Sequence, residues 1–184
     1  MAPMGKRVLV TGTPGVGKTT FTKYLAEKTG FRVVELSTFI KKHRLFEGAC
    51  KKYDTLVYSP ETVQRFLKRK MKSKHSYIID THDPETVSNI EYDVVVVLSC
   101  DTSILGARYD ERGYNQEKIT ENLEVEIMDI VYNDVIDFVC KTPEEEKDVV
   151  RIPTNNKKEI LSLDSIFAIL SSTAPWQRLG LGQG

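Results

Sequence analysis

Short apolar runs alternate along the chain with segments whose apolar residues recur every three or four positions, the rhythm of strands and helices taken in turn. Residues 7–10 (RVLV), 31–36, 76–80 (SYIID), 93–99 (DVVVVLS) and 149–152 have the apolar and β-branched content of strands. Those at 76–80 and 93–99 are apolar at successive positions, as in strands buried on both faces. Between the strands, Phe21, Leu25 and Ala26 lie on one helix face, and Val63, Phe66, Leu67 and Met71 on another, opened by Ser59 as N-cap and Pro60 at the first helical position. Ser37 is positioned to cap a helix over 38–44, and Asp101 or Thr102 one running to about 109. Ile119, Leu123, Ile127, Ile130, Val131, Val135 and Phe138 form one stripe, which predicts a single long amphipathic helix. A charged loop over 142–148 and a last helix over 159–171 complete the pattern. Buried strands alternating with helices predict one α/β domain: a parallel sheet covered on both sides, with ligands beyond the carboxyl ends of its strands.

At one such end the sequence changes character. Residues 12–19 read GTPGVGKT and fit the phosphate-binding loop pattern G-x-x-x-x-G-K-[ST] without a mismatch, between a strand and a helix. Gly12, Gly15 and Gly17 permit backbone conformations and close approaches that a side chain would block, so that successive N–H groups around Val16 can point into one concavity. Lys18 brings an ammonium to the β and γ phosphates, and Thr19 a hydroxyl to magnesium. Thr20 continues the helix N-terminus, which adds its partial positive charge. A nucleoside triphosphate is the expected ligand.

Composition narrows this picture. The 184 residues are enough for one core, and the charges cancel, 26 basic against 26 acidic. They are nevertheless segregated. Arg65, Lys68, Arg69, Lys70, Lys72 and Lys74 make a basic run that is either a solvated helix face or a contact for RNA or another acidic surface, whereas the segment from Glu117 to Asp137 is acidic. No apolar stretch reaches about 18 residues, and the N-terminus enters the first strand without a signal-peptide core, so a soluble intracellular protein is expected. Cys50, Cys100 and Cys140 lack metal-ligand spacing and read as reduced thiols.

Further chemistry is expected near the loop. Asp80 ends a buried strand, where it can hold magnesium directly or through water, or merely cap the following turn. His82, two residues on, can orient a water or a phosphate, or can be a plain loop histidine. Arg108 and Arg112 share a face if their helix persists, and two guanidinium groups suit a phosphoryl group in transfer; the alternative is a surface pair bound to Asp110 or Glu111.

Taken together, GTPGVGKTT, the D-x-H of Asp80, Thr81 and His82, and ERGYNQEKITENLEVEI over 111–127 resemble the atypical nuclear adenylate kinase family, isoenzyme six, across most of the chain. The resemblance implies a three-layer α/β P-loop NTPase fold of the nucleoside monophosphate kinase type, with a five-stranded parallel sheet. It implies a monophosphate-binding arm over about 34–57 and a lid over about 111–118, within a single kinase domain taken as 1–172; the Gly-rich composition of 173–184 predicts a flexible tail. By the same resemblance the protein would transfer phosphate from magnesium-bound ATP to AMP or a related monophosphate, and would also hydrolyse ATP. Lys41, Tyr53 and Asp54 fall in the monophosphate arm, and Arg112 matches the lid arginine. Lys41 stands where some relatives carry arginine, which keeps the charge and loses the bidentate fork. The family also assists small ribosomal subunit maturation, so a small-subunit ribosomal protein and RNA are implied partners, DNA and membranes are not, and a monomer in nucleus and cytoplasm is expected.

Two other readings differ in class. An ATP-driven assembly factor would switch its affinity for a protein or RNA partner with nucleotide state. A small GTPase is encouraged only by Asn156-Lys157-Lys158-Glu159 and opposed by the lack of a glycine after Asp80.

Overall fold

A computed structural model of the chain describes residues 5–50 and 55–181. The apolar run Arg7–Thr11 forms β1, every residue of it buried, and the loop that follows leads into α1 (Lys18–Thr29). Gly30 ends α1 in a left-handed conformation, as a C-terminal glycine commonly does. Next come β2 (Arg32–Glu35), α2 (Leu36–His43), the short antiparallel pair β3 (Gly48–Cys50) and β4 (Thr55–Val57), α3 (Pro60–Met71) and β5 (Tyr77–Asp80). The second half runs β6 (Val94–Ser99), α4 (Thr102–Glu111), α5 (Gln116–Ile127), α6 (Ile130–Asp134), a π-helical turn (Val135–Val139), α7 (Pro143–Lys147), β7 (Val149–Pro153), the small pair β8 (Asn155–Asn156) and β9 (Glu159–Ile160), α8 (Leu163–Ser171) and α9 (Ala174–Gln177).

Five strands make one sheet in the order β2-β5-β1-β6-β7, all parallel. Its two faces follow from the two-residue period of a strand. Val8 and Val10 of β1, Ile78 of β5, and Val96 and Leu98 of β6 face one core with Phe21, Leu25, Leu105, Tyr109, Ile166 and Leu170. Leu9, Ile79 and Val97 face the other, with Ile40, Val63, Leu67, Val135 and Val139. The three-layer α/β architecture expected from the sequence is therefore present. Register brings the carboxyl ends to one edge, pairing Val10 with Asp80 and Asp80 with Glu35. Among the described residues no helix is long and apolar enough to cross a membrane.

Several expectations need correction. The single long helix is broken at Asp129, whose φ of 54° is left-handed. A straight helix shows one stripe to one surface, whereas here Ile119 belongs to the first core and Val135 and Val139 to the second. The chain must turn between the two faces, and Ile127 and Phe138 are left exposed instead of lying in a stripe. Helix α2 starts at Leu36 with Glu35, not Ser37, at its cap. The 142–148 loop contains α7, capped by Thr142, and the last helix starts only at Leu163, with Ile160 exposed in β9.

Residues 173–181 are not a flexible tail. Pro175 and Trp176 in α9 are buried and Leu179 beyond it is too; the Trp176 ring meets Phe167 edge-on at 5.9 Å. A single helical turn such as α9 is too short to show a period in the sequence. Since Trp176 is only 5% exposed, Trp176→Ala is expected to cost about 3–5 kcal/mol and lower the thermal midpoint by about 6 °C or more. Truncation after Ser172 should lower it at least as far. An unchanged midpoint in calorimetry for either variant would show that this segment is not part of the core.

Candidate functional site

The loop between β1 and α1 is shaped by contacts that leave no room for side chains at two of its glycines. Gly12 has φ 140°, and a Cβ there would lie 2.3 Å from the Leu98 carbonyl oxygen; Gly15 has φ 90° and the Tyr109 ring where its Cβ would be. The carbonyls of Gly12, Thr13, Pro14 and Gly15 are each engaged. Lys18 Nζ donates to the Gly12 oxygen at 2.6 Å and to the Thr13 oxygen at 3.0 Å. The Tyr109 hydroxyl donates to the Pro14 oxygen, and Arg108 donates to the Gly15 oxygen at 2.7 Å. With the carbonyls so occupied, the loop and the N-terminus of α1, whose first turn carries no acidic residue, offer N–H groups and positive potential to an anion.

Asp80 stands beside this cradle because β5 neighbours β1. Its carboxylate accepts from Thr19 Oγ1 at 2.8 Å and from Thr22 Oγ1 at 3.3 Å. Burial raises its pKa above the ordinary value, against the Thr19 hydroxyl and Lys18, which lower it. Burial likewise pushes Lys18 down to about 8, against Asp80 and Glu126, which favour its charge. A hydroxyl and a carboxylate side by side are hard oxygen donors of the kind magnesium takes when phosphates and waters supply the rest of its shell. The donor set fits that ion, and among the described residues no cluster of three or more His, Cys, Asp or Glu offers another metal site.

A cleft of about 690 Å³ opens in front of the loop. It is lined on one side by Glu35, Leu36, Ser37, Ile40 and Tyr58 and on the other by Arg112, Tyr114, Lys118 and Asn122. His82 also lines it. Its surface is exposed, yet protein surrounds it on several sides; this enclosure, together with Lys18, lowers its pKa against the opposing pull of Asp83 and Glu35. Tyr58 donates to Asp83 at 2.7 Å, and burial followed by that bond pushes its hydroxyl up to about 12. Burial works against the charge of Glu35, but the hydroxyls of Ser37 and Thr38 outweigh it and hold the carboxyl below its ordinary value.

Behind the loop a second groove of about 470 Å³ runs past Val16, Thr20, Arg108, Arg112, Thr154 and Leu161. Helix α4 persists through Arg108 to Glu111 with Arg112 as its C-cap, so the two arginines share this groove, but only Arg112 also faces the main cleft. Gly113 follows with φ 66°, which turns the chain between α4 and α5. The Tyr114 ring stacks on Tyr109 at 5.6 Å, and Lys118 lies over Tyr114 at 4.3 Å.

The sequence-predicted residues thus separate. Gly12, Gly15, Val16, Gly17, Lys18, Thr19, Thr20, Asp80, His82 and Arg112 converge on the loop and its two cavities. Arg108 holds the loop from behind rather than lining the cleft. Lys41 is exposed on α2 and does not line the cleft; Tyr53 and Asp54 lie outside the described residues. Tyr58, Glu35 and Glu126 were missed. Glu35 shares the strand-end signal of Asp80, whereas Glu126 is one acid among many in an acidic helix.

A family model described as an AAA domain matches residues 8–129. A putative adenylate kinase of Pyrococcus abyssi is 34% identical over 166 residues, 90% of this chain and 84% of that protein. The adenylate kinase isoenzyme 6 homolog FAP7 of Saccharomyces cerevisiae is 30% identical over 180 residues, 97% of this chain and 85% of that protein. The isoenzyme 6 homolog of Plasmodium falciparum is 34% identical over 150 residues, 73% and 81% of the two chains. Among solved structures, a gluconokinase from Sinorhizobium meliloti superposes with a TM-score of 0.52 at 15% identity, covering 96% and 94% of the chains. A shikimate kinase from Bacteroides thetaiotaomicron superposes at 0.53 with 16% identity, covering 96% and 99%; both show the P-loop kinase fold alone. By its phosphate loop, its sheet and these relatives, the chain belongs to the atypical adenylate kinase family of the isoenzyme 6 type.

Proposed function

We propose that this protein transfers the γ-phosphoryl group of ATP to a nucleoside monophosphate, with AMP preferred. The observation that carries the reading is one continuous cleft that joins Lys18, Thr19 and Asp80 of the phosphate cradle to the arm at Ser37 and Tyr58 and to the lid at Arg112. Relatives bearing the name adenylate kinase support it.

In the reaction an oxygen of the acceptor phosphate bonds to the γ-phosphorus while its bond to the β–γ bridging oxygen breaks, leaving ADP and the acceptor diphosphate. The attacking oxygen is already anionic, so no base is required, and positioning with charge stabilisation carries the catalysis. Lys18 exchanges the Gly12 and Thr13 carbonyls for the β and γ oxygens. Arg112, next to the Gly113 hinge, meets the charge on the transferring group from the lid side. Magnesium carried in with ATP would neutralise charge across the two phosphates, with Thr19 and Asp80 as the residues that would hold it. The deep groove past Thr20, Thr154 and Leu161 is open on the far side of the loop for the remainder of ATP.

A second activity, hydrolysis of ATP, is favoured by His82, which faces the same cleft and is held toward its neutral form, able to accept a hydrogen bond from water. The family resemblance further supports a role in small-subunit maturation, in nucleus and cytoplasm, with a ribosomal protein or RNA as partner. For that role the exposed basic face of α3 is the surface to mutate.

The deciding assay follows ATP consumption with magnesium, with and without AMP, resolving ADP from free phosphate. Two ADP per AMP consumed, lost by at least about a hundredfold in Lys18→Ala, is the expected result. Free phosphate alone, unaffected by AMP, would leave only the ATPase. His82→Ala should lower AMP-independent phosphate release by about a hundredfold while ADP formation from AMP stays within about threefold; unchanged phosphate release removes the histidine from hydrolysis. Because Lys41 stands outside the cleft lining, Lys41→Ala should change KM for AMP by less than about threefold, on the scale of one exposed charge. A rise above tenfold would return Lys41 to the acceptor site.

A further inference from the structure

Helices α4 and α5 flank the lid, and both reach back to the phosphate loop. From α4 come the Tyr109 and Arg108 contacts to Pro14 and Gly15. From the last turn of α5 comes Glu126. One of its carboxylate oxygens accepts from Thr13 Oγ1 at 2.5 Å, and the other accepts from the backbone N–H of Cys100 at 2.7 Å. Cys100 immediately follows β6, and Thr13 is 1% exposed. A single half-buried carboxylate therefore joins the loop after β1, the end of β6 and the helix that begins at the lid, where Asn115 caps α5.

A carboxylate in that position is costly to desolvate unless both oxygens are used, and both are. The Thr13 carbonyl is also one of the two that receive Lys18, so the residue gripped by Glu126 is the residue on which the lysine rests. Chain direction supplies the second half of the argument. Helix α5 leaves the lid at Gln116 and ends at Ile127, directly before the left-handed Asp129. Glu126 is thus the last helical position able to grip the loop before the chain turns to the other face of the sheet. Rotation of α5 during a lid movement would pull on Thr13 and Cys100 together.

We propose that Glu126 is a positioning residue for phosphoryl transfer, a latch that holds the phosphate loop against β6 and makes loop shape depend on the lid helix. The kinetic half of this proposal rests on the kinase reading above; the loop half does not.

The test compares Glu126→Ala, Glu126→Gln and Thr13→Val by kcat and KM for ATP, and by hydrogen exchange of amides 12–20 against those of β5 in the nucleotide-free protein. Gln can keep both bonds, its carbonyl accepting from Cys100 and its amide donating to the Thr13 hydroxyl. Glu126→Ala and Thr13→Val should each lower kcat by about tenfold or more, with KM changing less than about threefold, because ATP helps to order the loop on binding while in-line geometry depends on its exact set. Loop amides should exchange at least about tenfold faster while β5 amides do not. Gln should recover most of both losses, and Glu126→Ala with Thr13→Val should be no worse than the more damaging single change. Equal acceleration of loop and β5, no recovery by Gln, or a Thr13→Val protein that behaves like wild type would overturn the latch. If the loop amides respond as expected in a protein without transferase activity, the kinase reading fails and the latch stands. An unmoved loop in an active kinase sinks the latch alone.

Discussion

Everything at the carboxyl edge of the sheet depends on a stretch of backbone with no room for side chains. Gly12 lies so near the Leu98 carbonyl, and Gly15 so near the Tyr109 ring, that no other residue fits either place without displacing β6 or α4. Their left-handed backbone would strain any substituted residue as well. That close fit turns the carbonyls of Gly12, Thr13, Pro14 and Gly15 toward Lys18, Tyr109 and Arg108. An anion site built from backbone needs no charged side chain to be attractive, and here the N-terminus of α1 strengthens it.

Charge at the site is balanced before any ligand arrives. Lys18 is buried and would lose its proton easily were it alone; Asp80 and Glu126 oppose that loss from two different elements. Asp80 is itself held by Thr19 and Thr22. Each member is costly to bury unpaired, so their placement is cooperative and depends on β1, β5 and α5 all being in register. A polyphosphate would bring enough negative charge to release Lys18 from the carbonyls it now occupies.

The α4–α5 connection and helix α2 have different relations to this centre. Residues 112–115 join α4 to α5, and both helices touch the loop, α4 through Arg108 and Tyr109 and α5 through Glu126. Helix α2 is anchored on the second core through Leu36, Phe39 and Ile40 and reaches the cleft through Ser37, while Lys41 is exposed. The family resemblance implies an acceptor site that includes Lys41. Helical geometry places Lys41 one step round from Ile40, which is buried, and so on the exposed side of α2.

The sequence alone determined the strand runs, the phosphate loop and the strand-end acid Asp80, because each is a local pattern with a local cause: apolar continuity, glycine conformations, and an acid at a strand terminus. It also determined the cap at Ser59, where one side chain meets a nearby N–H, and narrowed that of α4 to Asp101 or Thr102, of which the structure has Asp101. Only tertiary structure decided which acid among many reaches Thr13, since the choice of Glu126 depends on how α5 crosses the end of β6. The same holds for the break at Asp129. Apolar spacing continues through it without a mark, and only the need to cover both faces of one sheet forces the chain to turn there. Trp176 is similar: a single turn has no period to read, and its burial exists only because α8 and the first core offer a place for the ring.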